Sequence, residues 1–183
     1  MAISPELRPL RVNMVELLRQ PGAERSSSAS VDPDVLGCIV AEGQASLRGP
    51  IEVAIHAVSG TDEVEVDCVI EAAWIGDCRR CLAPVSGVET IRVVEHFRPA
   101  VASRDAGQRD DADVIAVEGD QIDLVPTVRE TVMIELPMAP LCSPDCAGIC
   151  PICGTDRNSA PCGCSVEIRD ERWAALDSLR LDE

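Results

Sequence analysis

Six cysteines crowd into one short stretch near the end of the chain: Cys142, Cys146, Cys150, Cys153, Cys162 and Cys164. Around the middle pair the sequence reads Cys150-Pro151-Ile152-Cys153-Gly154. Two thiolates separated by two residues can grip one tetrahedral ion. The proline fixes a backbone angle, and the glycine allows the tight turn behind the second sulfur. Zinc takes four ligands, so six candidates leave two spare or shared. The Cys150/Cys153 pair is completed either by Cys162 and Cys164 or by Cys142 and Cys146. Spacing alone does not choose. No histidine lies inside the cluster, so a sulfur-only, structural zinc site is expected, with an iron–sulfur cluster as the less favoured occupant.

A second C-x-x-C, Cys78-Arg79-Arg80-Cys81, stands far upstream. A bare C-x-x-C is a weak signal with three readings. It is half of a metal site completed by the two spare thiolates, or a redox pair stabilised by its arginines, or a turn with two ordinary cysteines. A thioredoxin-like pair would open a helix in a βαβ unit, whereas this one falls between strand-like segments. Cys38 and Cys68 are isolated in apolar or alternating runs and read as core residues. His56 and His96 read as surface or edge residues. No P-loop, G-x-S-x-G, H-E-x-x-H or dinucleotide fingerprint is present, so no catalytic residue is assigned and no small-molecule substrate is expected.

Charge narrows the partners. The chain carries 32 acidic against 16 basic residues, a net charge of −16, and every one of the 16 is arginine. Broad, sequence-independent binding to phosphate backbones is disfavoured, while basic proteins are attracted. A long apolar run that would serve as a signal peptide or a membrane span is missing, so a cytoplasmic protein without membrane contact is expected. In that reducing compartment ten cysteines point to metal or thiol chemistry and not to a disulfide framework.

Organisation follows from periodicity. Residues 1–30 read as an N-terminal docking arm: Leu10-Arg11-Val12 as a short strand, and Asn13 as the cap of a helix over Met14 to Arg19. Ser26-Ser27-Ser28 reads as a flexible turn. Residues 31–136 read as a β-rich core. Ile51, Val53 and Ile55 alternate with polar or small residues, as do Val64, Val66 and Cys68, and Val88 to Val94 supply another extended run. The pattern predicts an antiparallel meander curled into a partly open barrel. Residues 102–113 read as a linker. Leu124, Val128, Val132 and Leu136 recur every four residues, one face of a helix over 123–136 with Asp123 as cap. Residues 137–183 read as a cysteine-rich zinc module ending in a helix capped by Asp170 and containing Trp173, Leu176 and Leu179. The fold class is α+β. No internal repeat is visible.

Several strings, in this order and spacing, resemble one bacterial family. They are Cys78-Arg79-Arg80-Cys81-Leu82-Ala83-Pro84-Val85, Asp123-Leu124-Val125-Pro126-Thr127-Val128-Arg129-Glu130, and Leu136-Pro137-Met138-Ala139-Pro140-Leu141-Cys142. Asp145-Cys146-Ala147-Gly148-Ile149-Cys150-Pro151-Ile152-Cys153-Gly154 follows, then Asn158, Cys162-Gly163-Cys164 and Arg172-Trp173-Ala174-Ala175-Leu176. Together they resemble the YceD family, the large ribosomal RNA subunit accumulation proteins, also described as predicted metal-binding, with nucleic-acid binding suggested. The resemblance implies a cytoplasmic, non-enzymatic factor in large-subunit ribosome biogenesis that supports 23S rRNA accumulation. Its partner would be precursor rRNA or a basic ribosomal protein. Arg79, Arg80, Arg92, Arg98 and Arg129 are the candidate RNA contacts, with ordinary solvated or helix-pairing arginines as the alternative. The rival functions are a thiol oxidoreductase using Cys78 and Cys81, and a zinc-containing regulator acting on nucleic acid.

Overall fold

The computed structural model describes residues 4–41, 44–100, 114–165 and 172. A 3-10 turn (Pro5–Leu10) leads into β1 (Arg11–Asn13), α1 (Met14–Leu18), β2 (Glu24–Val31) and α2 (Pro33–Leu36). Then come β3 (Ser46–Leu47), β4 (Ile51–Ser59), β5 (Val64–Asp77), β6 (Pro84–Pro99), β7 (Val114–Val117), β8 (Gln121–Asp123) and α3 (Val125–Glu135). The main sheet runs β2-β4-β5-β6-β7, with β3 also on β5, and β1 pairs with β8 in a small second sheet. All pairings are antiparallel except β6 with β7. The meander β4-β5-β6 is therefore as the alternation predicts, and it stays open.

Period two sets which face is buried. Ile51, Val53, Ile55 and Ala57 of β4 and Val64, Val66, Cys68, Ile70 and Ala72 of β5 point inward and are almost fully buried. Leu10, Val12, Met14, Leu17, Leu36, Ile122, Leu124, Val128 and Val132 meet them in one cluster. The helices and the small sheet thus cover one face of the large sheet. Burying such side chains stabilises by about 1.5–3 kcal/mol each, before conformational entropy is set against it. Cys38 and Cys68 are in this cluster, and burial pushes the Cys68 thiol up to about 11. Trp74 lies across β6 opposite Gly87, where a Cβ would come within 2.7 Å of the indole. Its Nε1 donates to Glu89 Oε1 at 2.9 Å.

Asn13 caps α1 as its sequence suggests, its side chain accepting from the Glu16 N–H at 2.9 Å. The α3 face is also as expected, with Leu124, Val128, Val132 and Leu136 buried. The cap position is Leu124 and not Asp123 as expected; Asp123, one residue earlier, accepts the Val125 N–H at 3.0 Å. A second expectation fails. Ser26-Ser27-Ser28 is not a turn but part of β2, paired residue by residue with β4. The serines mislead because turn chemistry depends on neighbours. Here Ala29 and Val31 anchor the strand inward, while Ser30 Oγ donates to Glu52 Oε1 at 2.6 Å on the solvent side. The linker expected over 102–113 and the helix expected around Trp173, Leu176 and Leu179 lie outside the described residues. Among the described residues no helix is long and apolar enough to cross a membrane.

Candidate metal centre

β5 and β6 are the longest strands, and they run together to the hairpin tip that carries Cys78 and Cys81. α3 runs into Pro137 and Pro140, and the Pro140 carbonyl accepts the Arg79 N–H at 2.9 Å. Cys142 and Cys146 are thereby delivered onto the hairpin tip. Cys78, Cys81, Cys142 and Cys146 form one group whose sulfurs all lie within 4.8 Å of one another. Cys150, Cys153, Cys162 and Cys164 form a second group of the same kind. In the first, Cys78 and Cys146 sulfurs are 3.8 Å apart and Cys81 and Cys142 sulfurs 3.5 Å. These separations exceed a disulfide bond and match four ligands about 2.3 Å from a tetrahedral ion, which sit about 3.8 Å from each other. Eight cysteines divide into two sets of four. Either set can hold a metal ion, and neither contains an oxygen or nitrogen donor.

The two knuckles share one backbone design, a repeat that sequence reading missed. Leu82 N–H donates to the Cys78 carbonyl at 2.9 Å, and Gly154 N–H donates to the Cys150 carbonyl at 2.9 Å. Cys78 N–H donates to the Ala83 carbonyl at 2.8 Å, and Cys150 N–H to the Thr155 carbonyl at 2.9 Å. The residue after each second cysteine has positive φ, 61° at Leu82 and 72° at Gly154. Between the cysteines, Arg79-Arg80 and Pro151-Ile152 have nothing in common, so beyond the shared C-x-x-C spacing only the backbone hydrogen bonds and the positive φ reveal the common design. Leu82 is strained there, and at 62% exposure it gains little from burial. Glycine removes a left-handed penalty of about 1–2 kcal/mol and returns part of it as unfolded-state entropy. Leu82→Gly is expected to stabilise the metal-loaded protein by about 0.5–1 kcal/mol. A thermal melt that falls instead of rising would show that the Leu82 side chain packs on something.

The groups are joined by a short polar seam. Ile149 N–H donates to the Arg80 carbonyl and Arg157 N–H to the Gly148 carbonyl, both at 2.9 Å. Arg80 Nη1 donates to the carbonyls of Pro144 and Cys146, each at 3.0 Å. Asn158 lies between the two sites. Its amide nitrogen is 3.4 Å from Cys146 Sγ, and its carbonyl oxygen accepts the Ala147 N–H at 2.7 Å. Such outer-shell hydrogen bonds orient sulfur ligands. The Asn158 contacts are invisible in sequence, because they join an asparagine in one cysteine group to a sulfur in the other.

Thiol electrostatics suit a cation. Backbone N–H groups of Cys142 and Cys81 hold the Cys78 thiol down to about 6. The Thr155 hydroxyl and amide do the same for Cys153, also to about 6. Crowding against Cys146 pushes Cys142 up to about 12, and crowding against Cys153 pushes Cys164 up to about 12. Four sulfurs so close accumulate negative charge that a bound dication neutralises. Packing tells the same story. Among the described residues beyond Pro140, the only buried side chains are those of Cys146 and Cys150. Among the described residues no apolar core holds this module.

Of the candidate arginines, Arg92 makes a two-pronged pair with Asp67, Nε to Oδ1 at 2.9 Å and Nη2 to Oδ2 at 2.7 Å. That pair holds the Asp67 carboxyl below its usual range. Arg98 is buried and bonds Glu63 at 3.0 Å. Arg80 serves the seam, Arg129 stands 3.7 Å from Glu130, and Arg79 has an exposed side chain. The five are not gathered into one patch: Arg79 and Arg80 sit at the hairpin tip, Arg92 and Arg98 along β6, and Arg129 on α3.

The profile of the family "Large ribosomal RNA subunit accumulation protein YceD" matches residues 66–180, which span both cysteine groups. An uncharacterized protein of Mycobacterium tuberculosis is 34% identical over 170 residues, covering 92% of this chain and 80% of the relative. One from Mycobacterium leprae is 30% identical over 177 residues, covering 94% and 78%. The chloroplastic YCED homolog 1 of Arabidopsis thaliana, named a large ribosomal RNA subunit accumulation protein, is 32% identical over 60 residues, 33% of this chain and 19% of that protein. No solved structure matches. With more than half of the chain and both sulfur groups inside the matched region, the chain belongs to the YceD family of large ribosomal RNA subunit accumulation proteins.

Proposed function

We propose that this protein is a non-enzymatic, cytoplasmic factor in large-subunit ribosome biogenesis. It supports 23S rRNA accumulation by binding a precursor particle, and its C-terminal module is held by two structural zinc ions. Membership of the YceD family carries the biological half of this reading. The two closed sets of four sulfurs support the chemical half. A site with four protein thiolates offers no open position for substrate, so the metal organises and does not catalyse. Cys78, Cys81, Cys142 and Cys146 hold one ion, and Cys150, Cys153, Cys162 and Cys164 the other. In this arrangement Cys78 and Cys81 are ligands, which removes the pair that an oxidoreductase would use.

The test of the biological half is sedimentation of the tagged protein through a ribosome gradient from its own cells at moderate salt. Co-migration with large-subunit precursors and absence from mature 70S particles is the expected result. A protein confined to the top of the gradient, in cells with unchanged 23S rRNA levels after its deletion, would contradict the assignment. Metal analysis tests the chemical half, with about two zinc ions per chain expected from eight thiolates. A coloured, iron-containing preparation would replace zinc by a cluster.

A further inference from the structure

Among the described residues, the helices and the small sheet cover only the inner face of the large sheet. On β2, β4, β5 and β6 the outward positions alternate with the buried ones and face solvent. They carry Glu24, Glu52, Glu65, Asp67, Glu71 and Asp77 against a single arginine, Arg92, which is already paired with Asp67. Near the centre is a shallow depression of about 260 Å³ lined by Ser28, Glu52, Val53, Ala54, Val69 and Glu71. Glu52 and Glu71 are direct cross-strand partners. Like charges so placed destabilise a sheet by about 0.2–1 kcal/mol. Among the described residues no arginine pairs with either.

The edge of the same sheet adds an independent observation. β7 covers β6 only from His96 to Pro99. Among the described residues, the outer edge of β6 from Pro84 to Glu95 has no strand partner. Beside that edge the outward face is also partly apolar, with Val88 61% and Val94 44% exposed. A free edge of that length offers backbone donors and acceptors to an added strand. The edge selects an extended polypeptide, and the face selects a basic one.

We propose that this outer face, from the Glu52/Glu71 depression to the β6 edge, docks an extended arginine-rich segment of a protein partner. A guanidinium suits the pair because its planar fork can bond two carboxylates, and docking would relieve the repulsion between them. RNA is the disfavoured occupant, since phosphates meet the acidic side of the sheet. The inference rests on the precursor-binding reading and deepens it by giving the contact to a basic protein.

The probe is a fluorescein-labelled peptide alternating arginine with threonine, titrated against the full, zinc-loaded chain at moderate salt. A single-stranded RNA oligonucleotide of similar length is run beside it. The peptide is expected to bind, and E52R/E71R to weaken it at least about tenfold, because like-charge contacts across an interface are costly. The control E118R/E130R makes the same change in net charge at exposed sites away from this face, and should stay within about twofold of wild type. E52Q/E71Q should also bind weakly while melting no lower than wild type, which separates lost docking from lost folding. The proposal is overturned if E52R/E71R binds as wild type does, if both charge-reversed variants weaken equally, or if RNA is preferred over the peptide. The gradient distinguishes the two readings. Wild type and E52R/E71R co-migrating equally with precursors would sink this face and leave the precursor reading standing. A wild type that stays at the top would sink the precursor reading, and the peptide titration would still decide the face.

Discussion

Serine at Cys146 is expected to cut the zinc content from about two ions per chain to about one, because it removes a ligand from only one set of four. The effect on structure should be sharply local. Cys146 is buried at the meeting point of the hairpin tip, the Arg80 guanidinium and the Asn158 amide. Breaking its site detaches the segment after Pro140 from the β5–β6 tip but leaves the Cys150 group with all its sulfurs. Chelation of both ions goes further. Beyond Pro140 the only side chains buried among the described residues are the sulfur ligands Cys146 and Cys150, so metal affinity is folding energy there. Protease should then cut after Pro140 while the sheet survives, since its core is made of Ile51, Val53, Val66, Ile70 and their neighbours. Equal cleavage of sheet and module, or a Cys146→Ser protein that still holds both ions, would contradict the assignment of the two sets.

Gly148→Val is expected to be the most damaging single change in the module outside the cysteines. Gly148 has φ 71°, and a Cβ there would lie 2.9 Å from the Arg80 carbonyl oxygen and 3.3 Å from the Arg80 Cβ. Neither obstacle can move freely. That carbonyl accepts the Ile149 N–H, and the Arg80 side chain is tied to Pro144 and Cys146. Strain and collision together should cost about 2–3 kcal/mol. Gly154 is the built-in comparison. It has the same φ region, 72°, but nothing within 4 Å of its would-be Cβ. Gly154→Ala should therefore cost only about 1 kcal/mol. Rates of zinc loss to a chelator would rank the two. A Gly154 variant that loses zinc faster than Gly148→Val would mean the seam is not a tight contact.

Legibility in the sequence followed the range of the interaction. The strands β4 and β5, the buried face of α3 and the Asn13 cap all depend on residues within a few positions of each other, and all were readable. The Cys150-Pro151-Ile152-Cys153-Gly154 knuckle was readable for the same reason, since its turn is closed by its own backbone. The serine run was misread because its neighbours on β4 lie 26 or more residues away. Pairing partners, not intrinsic preference, put Ser26, Ser27 and Ser28 into a strand. The knuckle repeat escaped because Leu82 stands where Gly154 would announce the turn.

What the chain determined by itself, then, was a set of parts: an antiparallel β core, an amphipathic helix, thiol pairs of metal-binding spacing and an acidic surface. Each follows from local periodicity, turn chemistry or summed charge. Only the tertiary structure decided how the thiols divide. Cys78 meets Cys146 across 68 residues, brought there by the length of the β5–β6 hairpin and the exit of α3 through Pro137 and Pro140. Tertiary structure also decided that Glu52 and Glu71 face each other on a face that none of the described helices covers, because strand register places them opposite and those helices pack on the other side. Contacts so distant in sequence leave no periodic trace, since loop closure and register, not neighbouring residues, select them.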